Sequence, residues 1–330
     1  SRALIEAVNL RLDRGEQVLL FLNRRGYATI VVCRECGLVL KCPSCDISLT
    51  YHLDNRLRCH YCNHAIPVPG RCPGCSGRYI SHFGTGTQKV EEEAKRIFER
   101  ARILRMDSDT TTRKGSHERI LKSFREGEAD ILIGTQMIAK GLDLPKVTLV
   151  GVINADTTLH MPDFRAAERT FQLLTQVAGR SGRGDLPGEV LIQTYSPDHY
   201  SIIAAAAHDY EGFYRNEMKV RRALGYPPFS HLALLLFTHE DENEAKKGAL
   251  LAKEFFAKEL LNTGRQIDIL GPAPATLNKI KEKHRWQLIL KGPKRSSLKD
   301  LIREFLDKVE TLRPAFKPVI TVDINPQGMI

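Results

Sequence analysis

Eight cysteines, all between Cys33 and Cys75, constrain this chain more than any other feature. They form four C-x-x-C pairs: Cys33/Cys36, Cys42/Cys45, Cys59/Cys62 and Cys72/Cys75. Such a pair makes a knuckle that offers two thiolates to one side of a tetrahedral ion, and two knuckles complete a site. Four knuckles therefore predict two structural Zn²⁺ ions in a reducing compartment, rather than disulfides. A redox pair or an iron–sulfur cluster fits less well, because redox pairs seldom come four at once. The segment has few large apolar residues, so metal has to stand in for a hydrophobic core. Four knuckles can be grouped in three ways. The simplest hairpin path is nested, with Cys33, Cys36, Cys72 and Cys75 on an outer ion and Cys42, Cys45, Cys59 and Cys62 on an inner one. A cross-braced grouping is the alternative. His52, His60 and His64 remain as surface residues or neighbours of the ligands.

The flanking sequence has a different rhythm. Apolar runs at 18–22, 79–83, 103–107, 129–133, 147–153 and 188–195 read as strands. They alternate with helical periodicity at 1–13, 90–98, 116–124 and 166–177, which predicts an α/β lobe with a mostly parallel sheet. The cysteine segment interrupts that lobe. One helix is expected over 200–222, followed by a boundary at Gly225-Tyr226-Pro227-Pro228-Phe229. Beyond it the order β-α-β-β-α-β predicts an α+β ferredoxin-like sandwich. The domains are thus expected at 1–208, with a zinc-binding insert at 33–78, and at 209–330.

Gln176-Val177-Ala178-Gly179-Arg180-Ser181-Gly182-Arg183 places two arginines three residues apart, nearly one helical turn. A fixed pair of guanidinium forks suits a phosphate, whereas a lone basic helix end would simply be solvated. Upstream, Thr135 and Gln136 follow a buried strand and can grip a phosphate backbone. Gly141 permits close approach there, and Asp143 can accept from a ribose hydroxyl. Lys279, Lys281, Lys283, Arg285, Lys291, Lys294 and Arg295 lie between the two middle C-terminal strands, expected at 267–270 and 286–291, and just past them. That cluster is a solvated hairpin or a DNA-backbone contact, and Lys281, Lys283 and Arg285 are the expected DNA-binding residues. A net charge of +10 favours a polyanionic partner, and no apolar run is long enough to span a membrane.

Several stretches together resemble one family: VLLFLNRRGYA at 18–28, the four knuckles, GTQMIAKGLDLPKVTLVGVINAD at 134–156 and PDFRAAERTFQLLTQVAGRSGR at 162–183. The chain resembles the C-terminal part of the primosomal replication-restart helicases, the PriA family of superfamily 2. The resemblance implies a RecA-like second helicase lobe and two structural zinc ions. It implies that Arg180 and Arg183 are arginine fingers on the γ-phosphate of ATP, with Gln176 and Gly179 in the same motif, and that the full-length protein uses ATP and Mg²⁺. Gly141 and Asp143 would link nucleotide to DNA, and Thr135 and Gln136 would lie near the DNA backbone. The implied activity is ATP-dependent 3′→5′ unwinding at stalled forks and D-loops, with reloading of the replicative helicase. The implied partners are forked and single-stranded DNA, primosome and restart proteins and single-stranded-DNA-binding protein, for a monomer in the bacterial cytoplasm at the nucleoid. The chain departs from the family in lacking G-x-x-x-x-G-K-[ST] and D-E-x-H. It is therefore expected to be a fragment without ATPase activity of its own. The alternative is a docking scaffold for fork DNA and proteins, built on a degenerate motor.

Overall fold

The computed structural model describes every residue except 23–30, 34, 46, 53, 54, 79, 83–86, 108, 109, 112–114, 136–143, 180, 182–186, 314, 329 and 330. The chain divides into two compact units.

The first unit comprises 1–26, 83–160 and 166–213. Its core is a five-stranded parallel sheet. In chain order the strands are β1 (Gln17–Phe21), β7 (Ile103–Met106), β8 (Ile131–Gly134), β9 (Val147–Val152) and β10 (Glu189–Ile192). Their spatial order is β10-β9-β1-β8-β7. The central strand β1 is buried along its whole length, as a parallel strand covered on both faces should be. Alternation decides which way each residue packs. Val18 and Leu20 pack with Leu4, Val8, Val90 and Phe98, from helices α1 (Arg2–Asp13) and α2 (Thr87–Ile97) and the residue after α2. Leu19 and Phe21 pack with Phe124, Phe171, Leu174 and Val177, from α3 (Ser116–Arg125) and α5 (Ala166–Ala178). Each such fully buried side chain stabilises the lobe by about 1.5–3 kcal/mol. Gly151 has a specific role. A Cβ there would lie 2.7 Å from Leu4 Cδ1 and 2.9 Å from Leu20 Cδ2, so only glycine lets α1 settle on β9.

The helix expected over 200–222 is two helices, α6 (Tyr200–Ala206) and α7 (Tyr210–Leu224). His208 between them adopts a φ of 53°. The Asp209 carboxylate then accepts from Gly212 N at 2.8 Å, and this side-chain cap competes with a continuing helix.

The second unit comprises 27–82, 161–165 and 214–330. Its cysteine-rich part holds two small antiparallel sheets. One pairs β2 (Val31–Cys33) with β6 (Ile80–His82); the other has the order β3 (Thr50–His52), β4 (Arg56–Arg58), β5 (Ala65–Pro67). The C-terminal sheet is antiparallel, built from β11 (His231–His239), β12 (Asp268–Ile280), β13 (Lys283–Gly292) and β14 (Val319–Ile324). Its order β12-β13-β11-β14 is the ferredoxin-like one. Ala233, Leu235, Phe237, Trp286, Leu288 and Leu290 face Phe256 and Phe305 of helices α8 (Glu242–Thr263) and α9 (Arg295–Leu312). On the opposite face Leu232 and Ile289 join a second core with Cys42, Cys45, Leu57, Cys59 and Tyr61 of the cysteine-rich part. The two middle strands are longer than the apolar runs suggested. They pair out to a tight turn at Lys281-Glu282, where both residues have positive φ (49° and 63°), the primed geometry that matches strand twist. Lys279, Lys281, Lys283 and Arg285 therefore ride on the strand ends and turn of a hairpin, whereas Lys291 lies at the far end of β13 and Lys294 and Arg295 begin α9.

Candidate metal centres and arginine motif

Among the described residues, three knuckles share one local design. In these the residue after the second cysteine adopts positive φ: Gly37 (74°), Asn63 (65°) and Ser76 (61°). Its N–H bonds back to the carbonyl of the first cysteine, as in Gly37 to Cys33 (2.9 Å), Asn63 to Cys59 (2.9 Å) and Ser76 to Cys72 (2.8 Å). This turn aims both thiols to one side. Backbone N–H groups inside the turn also reach sulfur, from Tyr61 to Cys59 and from Gly74 to Cys72, each at 3.4 Å.

Two groups of four thiols result: Cys33, Cys36, Cys72 and Cys75, and Cys42, Cys45, Cys59 and Cys62. The sulfurs of each group lie within 4.8 Å of one another. Cys33–Cys75 and Cys36–Cys72 are 3.6 Å apart, and Cys42–Cys62 are 3.4 Å apart. A tetrahedron with zinc–sulfur legs of about 2.3 Å has edges of about 3.8 Å, so both donor sets fit Zn²⁺. The nested grouping is the one this geometry gathers. The inner sulfurs lie close enough to share protons. Hydrogen bonds from Cys45, Cys59 and Cys62 drive the Cys42 thiol far down, while the bond with Cys42 drives Cys45 up. A divalent ion would replace the shared protons and let all four serve as thiolates.

The two centres differ in surroundings. Cys36 and Cys75 of the outer group are exposed, whereas Cys42, Cys45 and Cys59 of the inner group are buried. The inner knuckles are also fastened to the C-terminal domain. Tyr226 Oη donates to Cys45 O at 3.0 Å, and the buried Gln287 Nε2 donates to His60 O at 2.7 Å. His60 is buried rather than on the surface. Its Nδ1 lies 2.9 Å from Pro274 O; a carbonyl only accepts, so Nδ1 carries the proton. Burial lowers the pKa of this imidazole to about 4, keeping it neutral. Gly271, at φ 98°, brings its backbone so close that a Cβ would meet Tyr61 O at 3.1 Å.

Sequence reasoning read Tyr226 as part of a boundary, yet it is 4% exposed and central to this packing. Phe164 stacks on it with centroids 4.9 Å apart and planes 9° from parallel. The Arg165 and Arg221 guanidiniums lie 5.0 and 5.3 Å from the Phe164 centroid. Phe164 N donates to Tyr61 Oη at 3.3 Å, and Arg165 Nη1 to Pro326 O at 3.1 Å. An aromatic residue in each of two separated stretches was the available signal, and nothing in their spacing linked them.

Of the arginine motif, Gln176 and Gly179 lie exposed at the end of α5. Ser181 Oγ lies 3.0 Å from Thr148 O and 3.2 Å from Glu189 O, which holds this residue against the starts of β9 and β10. Arg180 and Arg183 are outside the described residues, as are Gln136, Gly141 and Asp143; Thr135 is half-buried just beyond β8. Lys281 and Lys283 are exposed at the hairpin tip. Arg285 is half-buried; its Nη1 donates to Leu277 O at 3.1 Å, and burial lowers its pKa. One anchor was missed in the sequence. The buried Asp156, in α4 (Asp156–Leu159), accepts from Tyr195 N at 2.9 Å, Thr194 Oγ1 at 3.1 Å and Ser196 Oγ at 3.3 Å.

A parallel-sheet lobe that carries the Q-x-x-G-R-x-G-R stretch, in one chain with an eight-cysteine module and a ferredoxin-like domain, defines the second lobe of a helicase with an added metal-binding region. Family models agree with each part. "Helicase conserved C-terminal domain" matches 76–185, "PriA DNA helicase Cys-rich region (CRR) domain" matches 42–67, and "Primosomal protein N C-terminal domain" matches 222–327. Replication restart protein PriA of Bacillus subtilis is 51% identical over 99% of this chain and 40% of its own length. The Synechocystis protein of the same name is 46% identical over 99% of this chain and 39% of its own, and that of Haemophilus influenzae 40% identical over 100% and 44%. The chain belongs to the PriA family of replication-restart helicases and spans about two fifths of the length of these curated relatives.

Proposed function

We propose that this chain supplies the second motor lobe, the zinc module and the C-terminal DNA-binding domain of an ATP-dependent 3′→5′ DNA helicase that acts at stalled forks and D-loops. In this reading the lobe occupies 1–208, the zinc insert 33–78 and the C-terminal domain 209–330. The observation that carries it is the arginine octet at the end of α5 in a parallel-sheet lobe matched by the helicase model. Arg180 and Arg183 stabilise charge developing on the γ-phosphate of MgATP, with Gln176, Gly179, Gly141 and Asp143 around the nucleotide. Thr135, Gln136, Lys281, Lys283 and Arg285 contact DNA. Zinc on the two four-thiol groups stabilises the fold of the insert. Primosome and restart proteins and single-stranded-DNA-binding protein are its protein partners, in the cytoplasm.

The sequence has no phosphate-cradling loop and no Mg²⁺-binding acidic motif, so ATP turnover requires a second lobe that supplies both. The purified chain is expected to show no DNA-stimulated ATPase. In a protein that joins it to such a lobe, Arg183→Ala is expected to lower turnover by about 10³-fold or more, with zinc content and most DNA affinity kept. Normal turnover in that variant would overturn the arginine-finger role. ATPase from the chain alone would overturn the two-lobe reading.

A further inference from the structure

We infer, on the reading above that both four-thiol groups hold Zn²⁺, that the outer group is a reversible site of oxidation by hydroperoxides. Cys36 and Cys75 are the sulfurs that meet the oxidant, Cys72 and Cys33 are their resolving partners, and the inner group is spared.

Oxidation of a thiolate requires that the oxidant reach the sulfur. The two groups have the same four ligands and differ in that respect. In the outer group Cys36 and Cys75 are exposed, and so are Glu35, Pro73, Gly74 and Ser76 around them. In the inner group Cys42, Cys45 and Cys59 are buried, and Cys62 packs against the same core of Leu57, Tyr61, Tyr226 and Ile289. A purely structural staple is the plainer reading of any four-thiol group, and it suits the inner one.

The outer group also sets each exposed sulfur beside a sheltered one. Cys33 and Cys72 are each 3% exposed. Cys75 lies 3.6 Å from Cys33, and Cys36 lies 3.6 Å from Cys72. Both pairs join different knuckles. An accessible thiolate next to a resolving one is the arrangement that stops oxidation at a disulfide. The Cys75 thiolate attacks one oxygen of hydrogen peroxide; the O–O bond breaks, hydroxide leaves, and the sulfur becomes a sulfenic acid. The Cys33 thiolate then attacks that sulfur; the S–O bond breaks, a second hydroxide leaves, and an S–S bond forms. Cys36 and Cys72 repeat both steps with a second peroxide. Four thiolates are thus oxidised to two disulfides, two peroxides are reduced to four hydroxides, and the Zn²⁺ they held goes to solvent.

The cross-knuckle pairing explains why the change is reversible. Cys33 ends β2, which pairs with β6 shortly after Cys75. A Cys33–Cys75 bond ties the first knuckle to the last, as the shared ion did, so the base of the insert stays closed until a thiol reductant reopens the site.

The experiment titrates the zinc-loaded chain with hydrogen peroxide. Zinc left on the protein after gel filtration is measured by atomic absorption, and the cysteines by alkylation, digestion and peptide mass. One of the two ions and four of the eight alkylatable thiols are expected to be lost, with peptides linked Cys33–Cys75 and Cys36–Cys72. Dithiothreitol with Zn²⁺ is expected to restore both counts. Loss of both ions in parallel, or oxidation of Cys42, Cys45, Cys59 and Cys62 at the same rate, would overturn the selectivity. Disulfides within the C-x-x-C pairs would overturn the resolving partners, and failure of dithiothreitol to restore the thiols would overturn reversibility. Retention of both ions and all eight thiols in large peroxide excess would overturn the site itself. A chain that loads fewer than two ions before any peroxide is added would instead overturn the two-zinc reading, and this inference with it.

Discussion

At the scale of single residues, Asp156 shows how a charge holds two loops of the lobe. It is buried, with acceptor bonds from three successive residues, 194–196, and His160 Nε2 3.5 Å away. Burial by itself raises the carboxyl pKa. The bonds from His160, Tyr195 N–H and Thr194 outweigh it and hold the group below the ordinary carboxylate range. A folded pKa below the unfolded one means that the stabilisation is complete above the unfolded value, near 3.9. It is lost as pH falls through the folded value. Asp156→Asn leaves an amide N–H₂ where an acceptor is needed, and should cost about 1–3 kcal/mol at neutral pH. Urea unfolding of both proteins from pH 7 downward would check this. The difference between them should shrink below about pH 4, and a constant difference would rule out the charged form as the cause. Asp156 stood in a stretch that the sequence made prominent, but its donors lie far along the chain, and no local pattern connects 156 with 194–196. The cysteines were legible because their chemistry is carried in their spacing alone.

Among elements, the knuckle Cys59–Cys62 matters most, because it serves a four-thiol group and a sheet at once. Its carbonyl at His60 accepts from Gln287, and its cysteines share a core with Leu232 and Ile289 of the C-terminal strands. Cys59→Ser should release about one zinc per chain, measured by atomic absorption, and should lower the melting temperature of the C-terminal domain along with that of the insert. Tyr226→Phe removes the bond to Cys45 O while keeping the ring. It should keep both zinc ions and lose about 0.5–1.5 kcal/mol in denaturant unfolding. Full zinc loss in Tyr226→Phe, or an unchanged C-terminal transition in Cys59→Ser, would contradict the shared core. The element order of both sheets followed from apolar runs and periodicity, with one correction: the run at 79–83, expected in the lobe's sheet, forms β6, which pairs antiparallel with β2 in the cysteine-rich part instead. The break at His208 and the long β12–β13 hairpin did not, because a side-chain cap at Asp209 and strand pairing through polar residues leave no apolar trace.

At the scale of the whole chain, the sequence placed the cysteine segment inside the α/β lobe, and by chain order it is there. In three dimensions residues 27–82 group with 161–165 and 214–330. Chain order records where a segment was inserted; packing records what it folds against, and the second is set by matching faces such as Tyr61 with Tyr226. Among the described residues no helix is long and apolar enough to cross a membrane. The two four-thiol groups then carry a consequence in time rather than in space. Ligand exchange at a metal begins when a competing donor reaches it, and two of the outer thiols meet solvent while three of the inner ones are sealed within a core. A zinc-loaded sample mixed with excess chelator should release its ions in two phases, the first from Cys33, Cys36, Cys72 and Cys75. The second should run no faster than the C-terminal domain opens, so that hydrogen exchange at Leu232 and Ile289 and the slow zinc signal would share one rate constant. The inner ion would then act as a clock on the unfolding of a domain that contributes none of its ligands.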